Sequence, residues 1–235
     1  MLLQELFESS VTVNRTLNPK LWVGDKLKPE ISAKLKEIAD AFSEFIGIDL
    51  DISDYTITGS NANYTWTEFS DLDLHLIVPG MPDATDRELF NAKKALWNEN
   101  HSITIKELPV EVYVQGSKEP HHSTGVYSII KDTWLVKPQK TQPQVDDASV
   151  KAKLDSLAHD IAHILRTDDL EAMRRVKERI TKMRRAGLAR AGEWSVENLV
   201  FKQLRNQGLI DQLADRVRSL EDEQLSLAEL ARPLD

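Results

Sequence analysis

Cysteine is absent from the 235 residues. That excludes a disulfide scaffold, a thiolate zinc site, an iron–sulfur cluster and a cysteine nucleophile together, and it fits a reducing compartment. Long apolar runs are missing too, since none approaches the roughly 18 residues that a bilayer-spanning helix needs. The first ten residues, MLLQELFESS, lack the basic region that opens a secretory leader, and Gln4, Glu5 and Glu8 break up their apolar stretch. These absences predict a soluble, cytoplasmic protein with no membrane partner. Glycine and proline stand at only 9 each, against 41% hydrophobic and 29% charged residues. Such a chain is neither collagenous nor low in complexity nor disordered, and its length allows one large domain or two small ones. An excess of positive charge is also lacking. The formal net charge of -8 argues against a general nucleic-acid coat, because affinity for phosphate backbones comes from Lys and Arg.

The charge is unevenly placed. Residues 1–150 hold 14 Lys+Arg against 23 Asp+Glu, whereas residues 151–235 hold 16 against 15. Arg166 to Arg190 alone contains nine basic residues, so an acidic part precedes a basic helical patch.

Periodicity divides the chain in the same way. EISAKLKEIADAFSEFI, residues 30–46, sets Ile31, Leu35, Ile38, Ala39, Phe42 and Ile46 at helical spacing. Strand-like segments follow at 55–58, 71–78 and 110–115, with a helix between the last two whose start is marked by a capping box of Thr85 and Glu88. A hairpin is expected from 125–130 and 133–136, joined at Lys131 and Asp132. Residues 137–147, KPQKTQPQVDD, have no apolar period and read as a linker. Everything beyond reads as helix, over 148–165, 168–188, 195–206 and 209–220, with Asp168 and Ser195 as N-caps and Gly208 at a helix break. The predicted class is α+β, a mixed sheet flanked by helices over 1–140 and a helical bundle over 141–235.

The informative stretch is ITGSNANYTWTEFSDLDLHLIV, residues 57–78. Asp71, Asp73 and His75 alternate with Leu72, Leu74 and Leu76, so the polar group shares one face of a strand and the leucines face the core. Successive carboxylates on one strand face lie about 6 to 7 Å apart at Cα. They repel, and a divalent cation is the economical partner that keeps both ionised. Magnesium suits such oxygen ligands and keeps positions for water and phosphate. Glu111, flanked by Val110 and Val112, reaches the same site if its strand pairs alongside at about 4.8 Å. Three carboxylates can hold two metals. Gly59 and Ser60 follow a strand end, where a backbone without Cβ can approach an anion and the hydroxyl can grip a phosphate. Together these parts suit phosphoryl or nucleotidyl transfer.

Gly59-Ser60, ten intervening residues, Asp71-Leu72-Asp73-Leu74 and a later Glu111 between valines resemble the signature of the DNA polymerase β-type nucleotidyltransferase superfamily. The resemblance implies a polymerase β-like catalytic domain. It implies that Asp71, Asp73 and Glu111 are catalytic and bind two Mg2+ (or Mn2+) ions per site, and that Gly59 and Ser60 hold the triphosphate of an NTP. A nucleoside monophosphate would pass to a hydroxyl acceptor, a small molecule, a protein or an RNA end, with release of pyrophosphate; acceptor and oligomeric state stay open. A catalytically inert nucleotide-binding or regulatory module of the same fold is the alternative. Asn63 stands where many members carry an Arg, so the nucleotide must find its cation elsewhere, at Lys137, Lys131 or the basic helical patch. LNPKLW, GVYS, WLVKP and GEWSVENL are similar to nucleotidyltransferase-like proteins of tailed bacteriophages, a likeness that carries no substrate and would make the compartment a host cytoplasm.

Other residues have plainer readings. His75 touches substrate or simply partners an acid. Tyr64, Trp66 and Phe69 stack on a base or pack. His159 and His163 lack the Glu of a metalloprotease helix and read as structural, and His159-Asp160 alone is weak as a phosphohydrolase mark. His121 and His122 read as an exposed loop, and the Arg174 to Arg185 run as a solvated helix face.

Overall fold

The computed structural model describes residues 13–80, 82–119, 123–140 and 146–226. The readings of the first ten residues, of His121 and His122, and of the middle of the 137–147 segment lie outside the described residues. The chain divides into two compact units, one over Thr12–Gln142 and one that contains Pro143–Asp235.

The first unit opens with a two-stranded ribbon, β1 (Trp22–Val23) and β2 (Lys26–Leu27). Helix α1 (Pro29–Ile46) follows, with proline in its first turn, where no N–H is needed, and Gly47 at φ 79° ending it in the left-handed region. The six stripe residues of its sequence pattern are all buried. The main sheet contains β3 (Asp54–Thr58), β4 (Leu72–Val78), β5 (Thr104–Ile105), β6 (Leu108–Gly116), β7 (Val126–Ser128) and β8 (Thr133–Val136), in the order β5-β6-β4-β3-β7-β8. Among the described residues only β4 and β6 pair in parallel. A parallel pair requires a crossover, which α2 (Ala84–Asn100) supplies.

The core of this unit joins the α1 stripe to Leu72, Leu74, Leu76, Val110 and Val112, with Trp97 of α2 edge-on to Phe42 at 5.4 Å. A second aromatic group extends the same core: Trp22 stacks on Trp134 at 4.8 Å and meets Tyr127 edge-on at 5.0 Å. LNPKLW, GVYS and WLVKP therefore meet in space.

Two local expectations in this unit need correction. The cap of α2 is Asp83, whose carboxylate accepts the Asp86 N–H at 2.9 Å. Thr85 already lies inside the first helical turn, where its hydroxyl cannot cap, so the Thr85–Glu88 box does not form. The hairpin turn is also longer than two residues. β7 stops at Ser128 because the Ser128 hydroxyl and the Ile130 N–H both turn onto buried Asp54, at 2.7 and 3.4 Å.

The second unit is helical: α3 (Asp147–Ile164), α4 (Leu170–Ala191), α5 (Val196–Asn206) and α6 (Leu209–Leu225). Its core is built from Val150, Leu154, Leu157, Ile161, Met173, Ile180, Leu199, Val200, Leu204, Leu213, Val217 and neighbours. Ser195 caps α5 and Gly208 at φ 70° separates α5 from α6. Asp169, not Asp168, caps α4 by accepting the Ala172 N–H at 2.8 Å. Asp168 lies one residue outside and pairs with Arg216. At Gly187 a Cβ would stand 2.6 Å from the Glu197 Cβ, so α4 and α5 cross where no side chain intervenes. The architecture is thus α+β, a mixed sheet with helices followed along the chain by a helical region, and among the described residues no helix is long and apolar enough to cross a membrane.

Candidate active site

The alternation read from residues 71–78 is realised in the burial of β4. Leu72, Leu74 and Leu76 are fully buried, while Asp71, Asp73 and His75 keep partial access to solvent. The parallel register sets Asp73 beside Glu111 and His75 beside Tyr113, so four polar side chains line one sheet face in two rows. The Asp71 carboxyl makes hydrogen-bonding contact with Glu111. Two carboxyl groups meet in this way only with a proton or cation to offset their repulsion.

Beneath this row His75 stacks on Tyr113, ring centroids 4.8 Å apart, and shares a 3.1 Å hydrogen bond with the Thr58 hydroxyl. His75 is therefore a floor for the carboxylates. Burial first, then the charges of Asp73, Glu111 and Asp71, push the Tyr113 hydroxyl far above the ordinary tyrosine range. It stays protonated and donates to Glu111 Oε2 at 2.5 Å.

Glu111 has a second donor that sequence reasoning missed. Lys94 of α2 places Nζ 2.9 Å from the same Oε2 and 3.4 Å from the Tyr113 ring centroid. Burial raises the Glu111 carboxyl, but attraction to Lys94 with hydrogen bonds from Tyr113, Lys94 and Asp71 outweighs it and holds the group below the usual carboxylate range. No periodic signal in α2 marks Lys94, because the signal is a reach between elements. Among the described residues, no group of three or more His, Asp or Glu side chains forms a preformed metal cage.

Gly59 sits against the carboxylate row. Its φ of 71° and ψ of -161° belong to a region that glycine almost alone occupies. A Cβ there would stand 1.9 Å from Asp73 Oδ2. The strand end and the acid thus share one small space, with the turn Ser60–Ala62 directly after it. This turn is braced on several sides. The Asn61 side-chain amide donates to the Asp71 carbonyl at 2.7 Å, and Asn61 accepts from the Asn18 amide through Oδ1 and from the Trp22 indole through its carbonyl. Ser60 Oγ donates to Ser70 Oγ at 3.0 Å. LNPKLW, which carried no role in the sequence, supplies two of the braces.

Other nominated residues fall differently. The Gly59 N–H donates to the Ser123 hydroxyl at 3.1 Å, so Ser123, 64 residues on, occupies the place expected for an anion. Asn63 is buried, with its amide on Thr124 and its oxygen on the Tyr64 N–H. It holds the turn's exit, and its side-chain amide is committed there. Lys137 pairs with Asp25 of the β1–β2 turn, which holds its ammonium in the charged form above the ordinary lysine range. Lys131 lies in the β7–β8 turn, next to Ser128 and Asp54, at the end of β3 opposite Gly59. The Trp66 indole donates to the Thr16 carbonyl and Tyr64 packs on the sheet core, so both serve packing.

In the helical unit most of the basic run is engaged. Arg179 pairs with Asp160 at 2.6 Å, Lys182 with Glu178 at 2.6 Å, Arg174 with Glu221 at 2.8 Å and Arg190 with Glu197 at 2.8 Å, and Arg184 lies over the Phe201 ring. A groove of about 760 Å³ between α3, α4 and α5 is walled by two of these pairs, Arg179–Asp160 and Arg190–Glu197, with Lys153 on Glu197 at 2.8 Å.

Comparison with known proteins adds little. No family model matches the chain, and no curated protein matches it. Among solved structures, a STING-associated CdnE c-di-GMP synthase from Capnocytophaga granulosa is similar at 14% identity and a TM-score of 0.23, over 94% of this chain and 87% of that one. At that score the likeness carries no argument for fold or chemistry, which rest on the residues themselves.

Proposed function

We propose that this protein is a metal-dependent nucleotidyltransferase of the polymerase β-like kind, with a catalytic domain over 1–140 and a helical domain over 141–235. The observation that carries the reading is the meeting of Gly59 with Asp73, beside a Glu111 held in register with that same Asp73. A glycine-bearing strand end and an acid row in one space suit a triphosphate whose α-phosphate faces the carboxylates. The residues fit a divalent ion, because the parallel register sets Asp73 beside Glu111 and the donors are hard oxygens. Asp71 and Asp73 would hold Mg2+ or Mn2+, which supplies Lewis-acid polarisation and charge neutralisation at the phosphate.

The chain's own residues do the rest. Ser60 and the turn position the β- and γ-phosphates once the Ser123 hydroxyl yields the Gly59 N–H. The acceptor oxygen bonds to the α-phosphorus while the bridging oxygen to the β-phosphorus departs with pyrophosphate. Glu111, kept ionised by its donors, accepts the hydroxyl proton. Tyr113, stacked on His75, holds Glu111 through its hydroxyl. The acceptor is a small molecule, a protein side chain or an RNA end.

The test supplies each of four α-labelled NTPs with Mg2+ or Mn2+ and cell extract, and follows the label. Wild type should label an acceptor and release pyrophosphate, and Asp73→Asn should label none. Equal labelling by the variant refutes the reading. Lys94 on Glu111 and Ser123 on the Gly59 N–H favour a second reading, an inert nucleotide-binding or regulatory module. That module would bind NTP without forming pyrophosphate.

A further inference from the structure

We infer that Lys94 stands in the place of a second cation, so that the acid row takes one divalent ion, between Asp71 and Asp73, and a lysine ammonium on Glu111. The inference rests on the nucleotidyltransferase reading and replaces its expectation of two ions per site with one.

Three observations carry it. Lys94 Nζ and the Tyr113 hydroxyl both donate to Glu111 Oε2, at 2.9 and 2.5 Å, and fill both lone pairs of that oxygen. The ammonium is not a loose surface charge. It lies 3.4 Å from the Tyr113 ring centroid, and the Lys94 side chain is 20% exposed. A divalent ion bound at the same carboxylate would meet this charge at close range in a partly dry site, where repulsion is only weakly screened.

Lys94 also solves a problem that an acid row creates for itself, since it holds Glu111 ionised and oriented before any ion or nucleotide arrives. On this reading Lys94 is a positioning residue for the acid that meets the acceptor hydroxyl.

Manganese alone, titrated into the full chain at neutral pH and counted from the loss of the free-ion paramagnetic resonance signal, separates the outcomes. Wild type should bind one ion, Lys94→Met and Lys94→Gln should each bind two, and Lys94→Arg should bind one. Circular dichroism establishes that each variant is folded, and Lys94→Met keeps the aliphatic stem that covers Tyr113. Two ions in wild type, or one ion in both folded neutral variants, overturns the inference while the metal reading stands. No ion in any of the four proteins overturns the metal reading itself, and the inference with it.

Discussion

The sheet face and the helical bundle both carry many charges, but they manage them in opposite ways. In the bundle, cations and acids alternate on exposed helix faces and meet as pairs: Arg179 with Asp160, Arg190 and Lys153 with Glu197, Lys182 with Glu178. The exposed pairs among them contribute little, roughly 0 to 1 kcal/mol, whereas Glu197, only 12% exposed, is held between two cations. On the sheet face three acids share one row with one ammonium, half-buried above a His75–Tyr113 stack. Acids gathered in a partly buried place oppose folding, and a chain retains them where the charge has a use. Net charge by region therefore misleads. Arg174, Arg179, Lys182 and Arg190 of the basic run pair with acids of their own unit, whereas the acid row gathers three carboxylates around the Lys94 ammonium.

The comparison can be broken at Gly59. Gly59→Ala forces a side chain into a glycine-only conformation and onto Asp73 Oδ2. It should abolish transfer and lower unfolding free energy by about 1 to 3 kcal/mol, read from urea melts; a variant with wild-type turnover would remove the Gly59–Asp73 meeting from the account. Asp71→Asn should cost on the order of 10²- to 10³-fold in kcat, the scale of losing one transition-state charge contact. Its thermal midpoint should not fall, because one repelling charge has left the row. Trp22→Ala sharpens the distinction between site and support. It should destabilise by about 3 to 5 kcal/mol through the lost core volume and loosen the turn that Asn61 holds, so KM for NTP should rise more than kcat falls.

Smaller effects are expected in the bundle and at the sheet's rim. Arg179→Ala should leave NTP affinity and turnover unchanged, since its partner is Asp160. A large loss of affinity would show that the paired cations open to bind phosphate. Tyr55 gives a pH-dependent check outside the acid row. Burial, then the hydrogen bond to Asp40, raises its hydroxyl from 10.0 to about 12. A raised tyrosine contributes stability that is complete below pH 10 and is lost as pH rises through 12. Asp40→Asn should move the ultraviolet titration of Tyr55 back toward 10.

How much of this was legible in the sequence depends on the range of the interaction. The α1 stripe and the Asp71/Leu72 alternation follow from local period, and the structure has both. The meeting of Glu111 with Asp73 needed one added condition, that the two strands pair, and the parallel register meets it. Helix starts were legible only to within a residue or two. Asp83 and Thr85, or Asp168 and Asp169, are equally good caps by type, and only the backbone decides between them. Lys94, Ser123 and the Asn18–Asn61–Trp22 braces were not legible, because each joins groups 17 to 64 residues apart with no period to announce it.

The most direct measurement is a crystal of the full chain soaked with Mn2+ and a non-hydrolysable NTP analogue. The account predicts anomalous density in contact with both Asp71 and Asp73, the triphosphate along the Gly59–Ser60 turn, and Lys94 still on Glu111. Asp71 and Asp73 pointing apart, with no density between them, would contradict it.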